Sequence, residues 1–388
     1  MDYLKPYSAE TQAEFYKAEA ETLQFGTLFS SRPYAKYMKR TLLAIDAIFA
    51  VRLAHDSILP PVPLIVAHDI ADWRYEGNVM RCLRATQLYF ELPEEQWDVV
   101  AEALHYMQAL EWTSQTAISG EPVTPDTLLR LHTILCNGKA PGVPSSAFRE
   151  TYLPHKKGTK PSNIPEKVDE LCQFINGDYF SPLGQASAIH HAFERIVPFD
   201  SLIDRTGLLT AFMPMFRRGL FVDGCLAPIS WGCALEKEYR RKLKDASRKD
   251  PSDEKYTRYR ERWGVYNARN TYLAVYIANR FLSQVDKLNA AWRSQGFKIP
   301  ANSAIDKLLD LFLAIPRLSS KHAANCIGKS YGATNEAMHQ LMKVGILEEI
   351  AIDNRERIYV CKQAEQLITN FVDDLIKLGK SVKEPAID

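Results

Sequence analysis

Apolar positions recur at helical spacing through most of this chain, and only near the C-terminus does the pattern shorten to strand length. Thr124-Pro125-Asp126 supplies a hydroxyl cap and a proline at the first helical position. Leu128, Leu131, Ile134 and Leu135 then follow on one face. Pro165 opens a second helix, with Val168, Leu171, Cys172 and Ile175 on its apolar side. Ala186, Ile189, His190, Phe193 and Val197 mark a third. Leu209, Phe212, Met213 and Phe216 mark a fourth, expected to bend near Pro214 because proline removes an intrahelical donor. The stretch from Glu236 to Arg262 is dense in charge, and Trp263 to Leu288 reads as a long helix.

Pro300-Ala301-Asn302 marks a boundary, and the order of elements changes beyond it. Ser303 to Ala314 reads as a helix ending at Pro316, and Ser319-Ser320 caps a short helix bearing Ala323, Ala324 and Ile327. Gly328 to Gly332 makes a turn. Asn335 to Val344 gives a third helix closed by Gly345, and Ile346 to Ile352 and Arg357 to Cys361 form two strands joined by residues 353–356.

Composition narrows the classes. The 388 residues are 46% hydrophobic and 24% charged, enough for two or three globular domains with proper cores. The net charge of +1 implies no general attraction to nucleic acid or membrane, and no run reaches the apolar length of a membrane span. Met1 to Lys5 lacks the apolar core of a signal peptide. Seven scattered cysteines have no metal-ligand spacing, and the expectation is a reduced, cytoplasmic protein with no metal site of its own. Gly328-Lys329-Ser330 imitates the end of a phosphate loop, but Ala323 stands where that loop needs glycine. Acids interleave the bases of residues 236–262, so that segment reads as a solvated helix face and loop rather than a nucleic-acid patch.

The chemistry concentrates in Val197-Pro198-Phe199-Asp200-Ser201-Leu202-Ile203-Asp204-Arg205-Thr206-Gly207-Leu208. This stretch, preceded by His190-His191-Ala192-Phe193-Glu194-Arg195-Ile196, resembles the core motif of the Fic (Fic/DOC, Fido) family, H-P-F-x-[D/E]-G-N-G-R-x-x-R between two helices. The resemblance extends to Leu131-His132, to Ala147-Phe148-Arg149 before a hairpin flap at Tyr152 to Pro165, and to Leu59-Pro60-Pro61-Val62-Pro63 upstream. Glu76 and Gly77 match the family's inhibitory helix, with Asp72 at its Ser/Thr position. The implied fold is mainly α: a Fic-like helical core with a small β-hairpin flap, followed by a winged-helix domain. The implied organisation is an N-terminal helical region over 1–100 with the inhibitory-like segment near 72–78, a Fic core over 101–295, and a winged helix over 300–375.

In the family, the motif histidine is the general base, the acidic residue holds Mg²⁺, the glycines let backbone N–H groups approach phosphate, and two arginines clamp it, so AMP passes from ATP to a protein hydroxyl. Here the base position is Val197, the acidic position Ser201, the Gly-Asn-Gly segment Leu202-Ile203-Asp204, and the second arginine Leu208. Valine cannot titrate, and a hydroxyl is a poor lone ligand for a hard cation. Leucine and isoleucine resist the positive φ that glycine permits, and Asp204 repels phosphate. Pro198, Phe199, Ser201, Asp204 and Arg205 are therefore a vestigial nucleotide site, and Glu76 has lost the arginine it would pair with. His190 and His191, about two helical turns upstream, are either a displaced base or helix-packing residues, and Asp200, one residue early, is only a candidate replacement for the metal ligand.

Three functions stay open. The first is a catalytically silent Fic-family protein acting as a regulatory or binding module. The second is an active nucleotidyl or phosphate-group transferase with a rearranged site, needing ATP and Mg²⁺. The third is a DNA-binding transcriptional regulator. The candidate readers for the third are Thr334, Asn335, Met338, His339 and Lys343 on the third C-terminal helix, with Arg355 and Arg357 on the wing. From Ala301 onward, 11 Lys/Arg against 12 Asp/Glu give no basic surplus for that role. A protein target at the flap and a homodimer are further partners compatible with the resemblance.

Overall fold

The computed structural model describes residues 5–52, 59–70, 96–136, 147–154, 158–230, 236–248, 254–296, 298–351 and 357–381. Helices dominate. An N-terminal pair, α1 (Ala9–Ser30) and α2 (Ala35–Val51), precedes α3 (Pro61–Ile70) and α4 (Trp97–Ser119). Then come α5 (Pro125–Cys136), α6 (Ile164–Asn176), α7 (Pro182–Ile196), α8 (Ile203–Arg217), α9 (Glu236–Arg248) and α10 (Glu254–Arg293). The C-terminal part runs α11 (Ala304–Ala314), β1 (Arg317–Ser319), α12 (Ser320–Ile327), α13 (Tyr331–Lys343), β2 (Glu348–Ala351), β3 (Arg357–Val360) and α14 (Lys362–Ser381).

The antiparallel hairpin of α7 and α8 is the centre of the molecule, because both helices are buried on nearly every face. Ser181 starts α7 by accepting the Gly184 N–H at 3.3 Å, with Pro182 at the first helical position. Helix α4 packs along α8, α6 along α7, and α1 along the 40-residue α10, which closes the other side. The fourth expected helix runs unbroken through Pro214, its apolar face held on both sides by these neighbours. The long helix begins at Glu254, nine residues earlier than its apolar pattern suggests, so part of the charged segment is helical.

The C-terminal sheet has the order β1-β3-β2, all antiparallel, with Leu318 opposite Tyr359 and Ile350 opposite Ile358. Strand β1 is only three residues long, and its Arg317, Leu318 and Ser319 carry no period a sequence can display. Ser303, Ser319 and Ser330 cap α11, α12 and α13 through their hydroxyls, and Gly328 ends α12 with φ 62°. Helix α13 begins at Tyr331, after its Ser330 cap, four residues before the expected Asn335.

The expected hairpin flap is not present as paired strands among the described residues. Leu153 forms an isolated bridge, and a short 3₁₀ turn at Pro161–Asn163 leads straight into α6. None of the described helices is long and apolar enough to cross a membrane, and the five described cysteines are free thiols.

Candidate functional site

The turn between α7 and α8 is held in place from three directions. Helix α7 ends on Val197, fully buried and left-handed at φ 51° and ψ 65°, with its N–H donated to the Phe193 carbonyl. Leu202, at φ 52° and ψ 26°, is the left-handed residue that starts α8. Positive φ is therefore adopted where the sequence argued against it: Leu202 keeps the backbone shape of a glycine position, and Ile203 enters the helix beside it. Two left-handed non-glycine residues within six positions need external support.

Arg149 supplies much of that support. Its Nε donates to the Val197 carbonyl at 2.6 Å, its backbone N–H to the Pro198 carbonyl at 2.9 Å, and Nη1 to the Thr151 carbonyl at 2.7 Å. Nη2 bonds the Thr159 carbonyl, and the Thr159 N–H reaches back to the Ile196 carbonyl at 3.3 Å. Phe199 anchors the other half of the loop. Its ring stacks on His132 at 3.9 Å and 5°, with Phe148 tilted against it at 5.5 Å, and His132 Nε2 donates to the Ser201 carbonyl at 3.1 Å. Gly158 lies directly on Val197; a β-carbon there would sit 2.7 Å from the valine Cβ.

The retained arginine is occupied. Arg205 Nη1 meets Glu102 Oε2 at 2.6 Å, and the two side chains are only 5% and 14% exposed. Asp204 stands in the first turn of α8, where the helix dipole favours an anion, so the chain's own carboxylate occupies the end that would face phosphate. Ser201 is half-buried with its carbonyl committed to His132, and Asp200 is exposed. Leu208 is buried and contributes to a separate pocket on α8. The described residues hold no cluster of three or more His, Cys, Asp or Glu side chains that could bind a metal ion.

The upstream histidines serve packing. His190 Nε2 lies 2.9 Å from the Tyr239 hydroxyl with its ring edge-on to Trp263, and His191 is buried against Tyr256 at 5.7 Å. Glu76 and Gly77, with the rest of the inhibitory-like segment, lie outside the described residues, as does Arg355.

The C-terminal candidates divide by helix face. Thr334 is fully buried and its hydroxyl donates to the Ser330 carbonyl at 2.9 Å; Asn335 Oδ1 accepts from Ser320 at 2.9 Å and from Tyr359 at 3.3 Å. Both hold the small domain together and do not point outward, and Met338 is fully buried with them. His339 is half-buried, edge-on to Tyr359. Lys343 is exposed, and Arg357 is exposed but within 3.5 Å of Glu349.

Residues 122–213, from the start of α5 through most of α8, match the model of the Fic/DOC family. That segment is a Fic/DOC-family match. No curated protein matches its sequence. Among solved structures it is similar to a Fic family protein from Desulfovibrio desulfuricans G20, at 13% identity over 92% of this chain and 97% of that one, with a TM-score of 0.47. A Fic domain containing signaling protein from Bacteroides thetaiotaomicron VPI-5482 is similar at 13% identity, over 66% of this chain and 96% of that one, with a TM-score of 0.45. Within this Fic domain the sequence pointed to the motif loop and to Arg149, and it missed Glu102, Gly158 and the support His132 gives. Glu102 lies 103 residues from its partner with no motif around it, so nothing local marks it.

Proposed function

We propose that this Fic-family protein no longer performs the transfer of AMP or related phosphate groups for which the family is known, and that it acts as a binding or regulatory module. The observation that carries this reading is the Arg205–Glu102 pair beside a buried Val197. A nucleotide phosphate would have to displace a carboxylate already held at 2.6 Å in a desolvated setting, where breaking a pair costs on the order of 3–5 kcal/mol. Position 197 has no atom to take a proton, and Gly158 and Arg149 close over it. Position 201 offers a hydroxyl whose backbone is already committed, so the residues present do not fit a Mg²⁺–nucleotide.

The test is incubation with α-³²P-ATP and Mg²⁺ in the presence of lysate proteins, comparing wild type with Arg205→Ala. Neither should label itself or any other protein. Label transfer by wild type that disappears in Arg205→Ala would overturn the reading in favour of a rearranged transferase.

The C-terminal part carries a second element of the proposal. The order helix, strand, helix, helix, strand, strand with sheet order β1-β3-β2 supports a winged helix over residues 300–375, following helical regions at 1–100 and 101–295. The outward face of α13 exposes Glu336, Gln340 and Lys343, with Tyr331 59% exposed at its start. One acid, one base and an aromatic favour a protein partner over duplex DNA, which calls for several cations along the phosphate track. Fluorescence anisotropy with a labelled duplex at low salt should show no binding. Salt-dependent binding that weakens in Lys343→Ala would establish the DNA-binding alternative instead.

A further inference from the structure

Helix α1 is apolar on both of its faces. One face is buried: Phe15, Ala18, Thr22, Phe25 and Phe29 pack into the body, with α10 running alongside. The other face is exposed, and along it Ala9, Ala13, Tyr16, Ala20, Leu23 and Thr27 recur at alternating four- and three-residue spacing. A helix at a protein surface turns a charged side to water, and one that is apolar all round is a buried helix. Between Glu10 and Ser31 the only exposed charged side chain is Lys17, and its ammonium lies over the Tyr272 ring of α10 at 4.5 Å. The acids of α1 turn away from this face. Glu14 is paired with Arg269 at 3.3 Å, Glu19 is buried and accepts the Leu183 N–H at 2.7 Å, and Glu21 is half-buried.

The spacing is that of a helix–helix seam, in which apolar residues repeat every 3.5 positions. Its large members stand well out of the surface: Tyr16 is 58% exposed and Leu23 43%. Leu28 flanks the seam on α1, and Tyr276, one helical turn beyond Tyr272, extends the patch onto α10; both are about half exposed. At the areas usual for the residue, the two tyrosines present about 200 Å² per copy. With Leu23, Leu28 and the small residues between them, the patch is on the order of 500 Å², the size at which an exposed apolar surface marks a contact site.

The order of large and small residues selects the occupant. A second copy of α1, run antiparallel and crossing near Ala18, sets Tyr16 against Ala20 of the partner subunit, Ala13 against Leu23 of the partner subunit, and Ala9 against Thr27 of the partner subunit. Each large side chain then meets a small one, and a two-fold axis repeats every contact. This self-complementarity is not required of a stripe that receives an unrelated helix. Charge permits the pairing as well: the chain's net charge is +1, and a near-neutral protein resists self-association weakly. Two patches together bury about 1,000 Å², the lower bound for a specific interface.

We infer that the exposed face of α1, with Tyr276 beside it, is the surface through which two copies of this chain associate, α1 packed antiparallel on α1. The contact does not depend on whether phosphate chemistry survives at the motif loop.

Sedimentation velocity of the full chain, from about 1 to 200 µM, tests the inference. Wild type should pass from monomer to dimer with a dissociation constant on the order of 1–100 µM, as suits an interface of minimal size. Its melting temperature should rise with concentration over the same range. Ala20→Arg and Leu23→Arg each put a long cation into the seam at an exposed position that arginine suits. Both should keep the wild-type circular dichroism spectrum, weaken the dimer at least about ten-fold and abolish the concentration dependence of melting. Tyr16→Ala, a truncation at an exposed position, should also weaken the dimer without adding a charge. A wild type that stays monomeric throughout the range overturns the inference. So does a dimer unchanged in the folded variants, which would place the contact on another surface.

Discussion

Gly158 packs against Val197 in the motif region with no room for a side chain, and this close approach explains how a loop can keep its shape after losing its chemistry. A left-handed β-branched residue costs on the order of 1–2 kcal/mol, and it persists here because Arg149 holds the Val197 and Pro198 carbonyls while Gly158 leaves room for the valine methyls. Adding one carbon at position 158 tests this. The new Cβ would lie 2.7 Å from Val197 Cβ, 2.8 Å from its Cγ2 and 2.9 Å from Arg149 Nη2. Gly158→Ala should destabilise the protein by about 1–3 kcal/mol in urea unfolding. In the Val197→Gly background the same substitution should cost much less, because the Cβ and the methyl it strikes are both gone. Equal costs in the two backgrounds would mean that the segment carrying Gly158 does not rest on Val197.

Elements meet at a second buried group, Asp46 of α2, which accepts from Ser230 at 2.9 Å twice and from the Tyr106 hydroxyl of α4 at 3.3 Å. Burial pushes its carboxyl up to about 7, and the hydrogen bonds from Ser230 and Tyr106 only partly oppose that. A carboxyl raised in the folded state binds its proton more tightly there than in the unfolded chain, where it titrates near 4. Its contribution is therefore fully present below about pH 4 and is lost as pH rises through about 7, a change on the order of 4 kcal/mol. Asp46→Asn keeps the side chain's size and cannot titrate. The stability of wild type minus that of Asp46→Asn should fall steadily between pH 4 and pH 8; Glu19, also raised by burial, titrates in both proteins and cancels. A pH-independent difference would show that Asp46 stays ionised. None of this was legible in the sequence, because Asp46 and Ser230 are 184 residues apart. What was legible is local: Thr124-Pro125 and Ser319 mark helix starts by their own chemistry, and the apolar stripes of α5 to α8 show their period. Where neighbours decide, the reading failed. Thr334 and Asn335 turn inward because α13 packs against α11 and α12, and Leu202 takes positive φ because the loop around it is anchored on both sides.

At the scale of the whole molecule, the C-terminal part is docked onto the helical body rather than tethered beside it. Phe281 of α10 stacks on Phe371 of α14 at 4.4 Å and 4°, and both rings are buried. Trp292 Nε1 donates to Gln363 Oε1 at 2.6 Å, Arg293 bridges Asp306 at 2.6 Å and Asp310 at 2.9 Å, and the Thr41 hydroxyl of α2 bonds the Ala314 carbonyl at 2.9 Å. The long helix α10 is thus part of two cores, and a defect on one side is felt on the other. Replacing Phe371 by alanine removes a ring from the shared face and should cost about 3–5 kcal/mol. Far-UV circular dichroism follows all the helices, and tryptophan fluorescence weights α4 and α10, which hold Trp97, Trp112, Trp263 and Trp292. Both signals should move to lower urea together in Phe371→Ala, as expected of one cooperative unit. If the fluorescence midpoint stays at the wild-type value while the helical signal splits into two steps, the C-terminal part unfolds on its own. In that case the stacking of Phe281 on Phe371 does not couple it to the Fic domain, and a partner bound at α13 would have no mechanical route to the motif loop.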